Sequence, residues 1–111
     1  MADRAPTIST HVLDTGRGRP AAGVSVTLFR LDGEGRPIRL TQAMTDGDGR
    51  VADLLGRPLQ AGDYRLRFES RDEEPTFFRT VALDFRIIDA SHSYHLPLLL
   101  APFSMTAYRG S

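Results

Sequence analysis

Apolar and polar residues alternate with a period of two through most of this chain. Over residues 64–69, Tyr64, Leu66 and Phe68 alternate with Arg65, Arg67 and Glu69, as a strand does when one face meets a core and the other meets water. Over residues 7–14, Ile8, Thr10 and Val12 fall on one face and Ser9, His11 and Leu13 on the other. Residues 23–31 repeat the pattern with Val24, Val26 and Leu28 against Ser25, Thr27 and Arg30, broken at Phe29. Residues 77–88 set Val81, Leu83, Phe85 and Ile87 against Thr80, Ala82, Asp84 and Arg86. Weaker strands are expected over 38–45, 50–55, 95–100 and 104–108.

The segments between them carry turn chemistry. Gly16-Arg17-Gly18-Arg19-Pro20 reads as a loop, Asp32-Gly33-Glu34-Gly35 as a hairpin, and Asp46-Gly47-Asp48-Gly49 as a second tight turn. Residues 56–61 form a connection, 89–93 a loop, and 71–75 a charged break with room for one helical turn. No stretch carries a 3.6-residue period. About eight short strands at regular spacing predict an all-β fold, a two-sheet β-sandwich or a barrel. At 111 residues the expectation is one domain spanning the chain, with residues 1–6 as a disordered tail.

Composition narrows the chemistry. Cysteine is absent, which excludes a disulfide framework and a thiolate nucleophile. Lysine is absent too, so Schiff-base chemistry and a lysine general base are excluded. The formal net charge is zero and there is no basic block, which argues against nucleic acid and anionic membranes as partners. No apolar run approaches the roughly 20 residues of a membrane span, and Met1-Ala2-Asp3-Arg4-Ala5-Pro6 lacks the apolar region of a secretory signal. A cytoplasmic protein is the default, with a periplasmic one still open.

The chemistry-bearing residues are few. There are three histidines, the side chain suited to proton transfer near neutral pH. His11 and His95 lie on predicted strands and read either as site residues or as half-buried structural histidines. His92 lies in a loop and reads as solvated. The His92-x-x-His95 spacing puts the rings on opposite faces of an extended chain and lacks a third ligand, so no metal is expected. Asp46-Gly47-Asp48-Gly49 resembles a fragment of a calcium loop but lacks the remaining ligands. Arg50, fixed behind a glycine turn, presents either a planar fork to a carboxylate or carbonyl or a solvated charge. Tyr108-Arg109-Gly110-Ser111 reads as a docked end carrying a hydroxyl, or Gly110-Ser111 as a fusion remnant. No Gly-x-Ser-x-Gly elbow supports a serine triad.

Three ordered segments resemble one family, the transthyretin-like 5-hydroxyisourate hydrolases. They are Ile8-Ser9-Thr10-His11-Val12-Leu13-Asp14 with Gly18-Arg19-Pro20-Ala21, then Thr45-Asp46-Gly47-Asp48-Gly49-Arg50, then Tyr94-His95-Leu96-Pro97-Leu98-Leu99-Leu100-Ala101-Pro102-Phe103-Ser104 through Tyr108-Arg109-Gly110-Ser111. The resemblance implies a transthyretin-like (prealbumin-like) sandwich in a homotetramer, a dimer of dimers. It implies cofactor-free hydrolysis of 5-hydroxyisourate to 2-oxo-4-hydroxy-4-carboxy-5-ureidoimidazoline in urate degradation. It also implies an interface site in which His11, Arg50, His95 and Ser111 are catalytic and Tyr108, Arg109 and Gly110 bind substrate. A non-catalytic ligand-binding module on the same fold is the alternative. The chain departs from the family in three places. The helix after the strand at 64–69 is expected to be reduced or absent, since residues 70–75 are too few. Phe77-Phe78-Arg79 stands for the usual Phe-Phe-Pro. Ser93-Tyr94-His95 stands for the usual His-x-His, so no role carries over to His92.

Overall fold

A computed structural model describes residues 5–70 and 76–110. Among them the secondary structure is entirely strand, in two sheets, and no helix is long and apolar enough to cross a membrane. The first sheet runs β2 (Arg19–Pro20), β1 (Ile8–Asp14), β8 (Tyr94–Leu100), β9 (Met105–Ala107), with β5 (Arg50–Val51) also paired to β1. The second runs β4 (Pro37–Met44), β3 (Ser25–Leu31), β6 (Gly62–Glu69), β7 (Thr80–Ile87).

The period-two residues meet between the sheets. Ile8, Val12, Leu96 and Leu98 come from the first sheet, Val26, Leu28, Tyr64, Leu66, Phe68 and Ile87 from the second, and Val24 from the residue before β3. Each buried aliphatic or aromatic side chain of this kind contributes about 1.5–3 kcal/mol. Thr10 shares the inward face of β1, and its hydroxyl is satisfied by donating to the Leu96 carbonyl at 2.6 Å. On β7 the inward residues Val81, Leu83 and Phe85 are only half-buried, because β7 is a sheet edge.

Several boundaries differ from the pattern, each for a local reason. The strand expected over 50–55 stops at Val51. Leu54 and Leu55 are consecutive and both buried, which an alternating strand cannot achieve. Instead the Asp53 carboxylate accepts the Leu55 and Gly56 amides at 3.0 Å each, and the Leu54 amide bonds the Ile8 carbonyl at 2.9 Å. Arg19 and Pro20, expected in a loop, pair with Asp14 and Leu13 as a two-residue edge strand, a position that tolerates proline. The interruption at Phe29 is a register shift between Leu28 and Phe29 against β4. The long strand expected from residue 77 begins at Thr80, because the Phe77 amide turns to the Pro102 carbonyl instead, at 2.8 Å. The expected helical turn falls largely on residues 71–75, outside the described residues.

Two pairings bring distant residues together. β1 runs parallel to β8 with Ser9 opposite His95, and β5 runs antiparallel to β1 with Arg50 opposite His11. Gly110 forms an isolated antiparallel bridge with His95.

Candidate functional site

The site is built on the outward face of the first sheet. Because Ile8, Thr10 and Val12 point into the core, Ser9 and His11 point away from it. Directly opposed residues share a face, so Arg50 joins His11 there, and His95 joins Ser9. Four polar side chains from three strands thus converge.

Arg50 is held by the turn before it. The Asp46 carboxylate accepts the amides of Asp48 at 2.9 Å and Arg50 at 3.0 Å, and the Asp46 amide donates to the Arg50 carbonyl at 3.0 Å. The Arg50 amide bond, with the positive charges of Arg50 and His11, holds the Asp46 carboxyl below its ordinary range. Thr45 anchors the turn from below. It is buried, accepts the Val24 amide at 2.9 Å and donates to the Ala21 carbonyl at 2.7 Å. Gly49 has φ +75° and its carbonyl accepts the Val12 amide at 2.7 Å. A Cβ on Gly49 would collide with the Val12 carbonyl oxygen, so only glycine lets the turn dock on β1.

His95 is half-buried, and its Nδ1 lies 2.8 Å from the Ser9 hydroxyl. Its pKa is lowered from the ordinary 6.5, first by burial and then by the positive charges of Arg50 and His11, with a smaller opposing hydrogen bond to the Ser9 backbone. The imidazole is therefore neutral, and able to accept a proton, at physiological pH. On its far side the Gly110 amide donates to the His95 carbonyl at 2.7 Å. An open cavity of about 340 Å³ lies beside the cluster, lined by Ser9, Arg50, Ala52, Ser93 and His95 among others.

The remaining candidates are distributed differently. Arg109 stacks its guanidinium over the Tyr94 ring at 5.0 Å. With Tyr94, Leu96, Leu83 and Phe85 it lines a separate cavity of about 230 Å³. Tyr94 and Leu96 alternate with His95, so this cavity lies toward the opposite face of the sheet. Tyr108 is exposed, and its amide donates to the Pro97 carbonyl at 3.4 Å. His92 packs on Tyr94 with ring centroids 4.6 Å apart and lies 3.8 Å from Asp89. Ser111 is outside the described residues. Among the described residues no three His, Asp or Glu side chains gather as a metal site would require.

Ser9 and Asp46 were not singled out from the sequence as site residues. For Ser9 the signal was present, since the period of two places it on the face of His11. For Asp46 it was an Asp two and four residues before the amides it caps.

The chain matches the model of the HIUase/Transthyretin family over residues 8–110. It is 43% identical to the 5-hydroxyisourate hydrolase of Mesorhizobium japonicum, over 94% of this chain and 91% of that protein. Its fold superposes on the structure of Klebsiella pneumoniae 5-hydroxyisourate hydrolase with TM-score 0.80 and 39% identity, covering 95% of this chain and 99% of that one. It superposes on sea bream transthyretin in complex with thyroxine with TM-score 0.82 and 25% identity, covering 93% of each. The sandwich, the three ordered motifs and the match along nearly the whole chain agree: the protein belongs to the HIUase/Transthyretin family.

Proposed function

We propose that this protein hydrolyses 5-hydroxyisourate to 2-oxo-4-hydroxy-4-carboxy-5-ureidoimidazoline, with no cofactor, in urate degradation. The observation that carries this reading is a half-buried His95 on the same sheet face as His11 and Arg50, its pKa lowered by burial and by those neighbours. Opening a cyclic amide needs a base for water and a charge to meet the developing oxyanion. In this reading His95 takes a proton from water while the water oxygen bonds to the ring carbonyl carbon. The carbonyl electron pair moves onto oxygen, where Arg50 stabilises it. Collapse breaks the carbon–nitrogen bond, and the proton on the imidazole passes to the departing nitrogen. General-base catalysis supplies typically about 10²–10⁴-fold, and a well-placed charge stabiliser several kcal/mol more. His11 shares the proton and charge handling at the Arg50 side, and Ser111 is assigned a catalytic role on the family resemblance alone. Gly110 borders the substrate at His95, while Tyr108 and Arg109 line the cavity on the other face. The cavity beside His95 is open, and we propose that a homotetramer closes it, the site lying between subunits.

The test generates 5-hydroxyisourate in situ from urate with urate oxidase and follows its ultraviolet decay. Acceleration over the spontaneous rate is expected. A rate equal to the spontaneous one returns the protein to the alternative, a ligand-binding module.

A further inference from the structure

We propose that Ser9 and Gly110 are positioning residues that hold His95 as its Nδ1–H tautomer, leaving Nε2 as the nitrogen that accepts the proton. The inference rests on the hydrolase reading above and names what makes its base competent.

A neutral imidazole carries its proton on one nitrogen, and the bond made by the other decides which. Free in water, histidine favours the proton on Nε2, which leaves Nδ1 basic. Here Nδ1 faces the Ser9 hydroxyl at 2.8 Å, and no described group bonds Nε2. A serine hydroxyl can donate or accept, so distance alone leaves two tautomers. The free nitrogen decides between them. Nδ1 is occupied by the Ser9 hydroxyl, so a base acting on water must use Nε2. Nε2 is basic only when the proton of the neutral ring sits on Nδ1 and the Ser9 hydroxyl accepts it.

Gly110 acts on the opposite edge of the ring. An ideal Cβ placed on Gly110 would lie 2.7 Å from His95 Cδ2, 3.3 Å from Cγ and 3.3 Å from the His95 carbonyl oxygen. Gly110 is not among the glycines with positive φ, so its backbone would accept alanine. What the position requires is space for the ring. Cδ2 is the carbon bonded to Nε2, so a methyl group there would push the reactive edge aside and pull Nδ1 off Ser9. The imidazole is thus fixed by a polar contact on one edge and by an absent side chain on the other. The groups that bias its charge are Arg50 on β5 and His11 on β1.

The experiment uses the full-length protein, labelled with ¹⁵N, in two parallel measurements. Ring-nitrogen NMR reads the His95 tautomer, and 5-hydroxyisourate decay gives kcat and KM across pH. Wild type is expected to show Nδ1 protonated and Nε2 bare at neutral pH. Ser9→Ala is expected to populate the Nε2–H form and to lower kcat about 10- to 100-fold, the usual scale for losing an orienting partner, with a smaller change in KM. Ser9→Thr, which keeps the hydroxyl, is expected to restore both. Gly110→Ala is expected to lower kcat with Ser9 intact and to shift the His95 ring signals. A wild-type Nε2–H tautomer, or a Ser9→Ala protein with unchanged tautomer and kcat, overturns the proposal. If Ser9→Ala does not fold, the wild-type spectrum and Gly110→Ala decide it. Should wild type show the expected tautomer yet leave 5-hydroxyisourate untouched, the hydrolase reading fails and the positioning of His95 stands.

Discussion

The two sheets of this sandwich both turn a polar face outward, and the two faces are opposites in their electrostatics. On the second sheet the charges cancel across strands. Arg65 sits opposite Asp84 with Nε 2.6 Å from the carboxylate, and Arg86 sits opposite Asp63 at 2.7 Å. Glu69 meets Arg67 at 3.0 Å. These pairs hold Asp84 below its ordinary carboxyl range and raise Arg65 and Arg86. On the first sheet Arg50 and His11 face His95, and the neighbouring Asp46 carboxylate is engaged by the Asp48 and Arg50 backbone amides. A guanidinium that is not paired in register is more available to a ligand than one that is. The same alternation of apolar and polar residues therefore builds one face of paired charges and one face that gathers His11, Arg50 and His95. The difference is the identity of the cross-strand partner.

The comparison is broken most severely at the histidines. His95→Asn or His11→Asn is expected to lower 5-hydroxyisourate turnover by about 10²–10⁴-fold, with the melting temperature near wild type because both side chains face away from the core. Unchanged turnover in both variants would remove the site from this face. Arg50→Ala is expected to cost about 10²–10³-fold in kcat. Arg50→Lys should recover only part of it, since an ammonium lacks the planar fork. The same decay assay reads both. Gly49→Ala strikes the turn that aims Arg50. With φ +75° and no room for a Cβ against Val12, it should destabilise the fold by about 1–3 kcal/mol, measured by urea denaturation, and lower kcat as well.

A smaller effect sharpens the electrostatics. His95 titrates below 6.5 in the folded protein, so the folded state binds fewer protons than the unfolded one as the pH falls from 6.5 toward that lowered value. His95 therefore makes stability decline on acidification through that window, and the acid limb of kcat/KM should lie below 6.5. Arg50→Gln removes a neighbouring positive charge, so the His95 titration followed by NMR should move upward. A downward move contradicts the assigned cause. The smallest change is expected on the other sheet. Arg65→Ala or Asp84→Ala should leave turnover at the wild-type rate and shift the melting temperature slightly, by an amount that shrinks with added salt.

Much of this architecture is legible in the alternation itself. Tyr64, Leu66 and Phe68, or Ile8, Thr10 and Val12, can be buried together in only one way, so those strands and their inward faces follow from composition and period. The hairpin at Asp32-Gly33-Glu34-Gly35 is equally local. The Asp32 carboxylate caps the Glu34 and Arg36 amides at 2.9 Å each, and Gly35 takes φ +80°. Leu54 and Leu55 differ from the strand the pattern predicts, because nothing in the period tells a buried loop from a short strand. The direction of Arg109 was not legible either, since stacking on Tyr94 depends on where β9 ends.

What the sequence determined alone is the longer strands and their inward faces, the turns that only glycine and aspartate permit, and the candidates His11, Arg50 and His95. All of these depend on neighbours a few residues away. What the tertiary structure decided is which strands became partners. Ser9 and His95 are 86 positions apart, and only the parallel register of β1 on β8 sets a hydroxyl against Nδ1. Gly110 is likewise an ordinary loop glycine until the bridge to His95 puts its missing side chain beside the ring. Periodicity fixes the face on which a side chain lies, and the long-range pairing of strands fixes what it meets there.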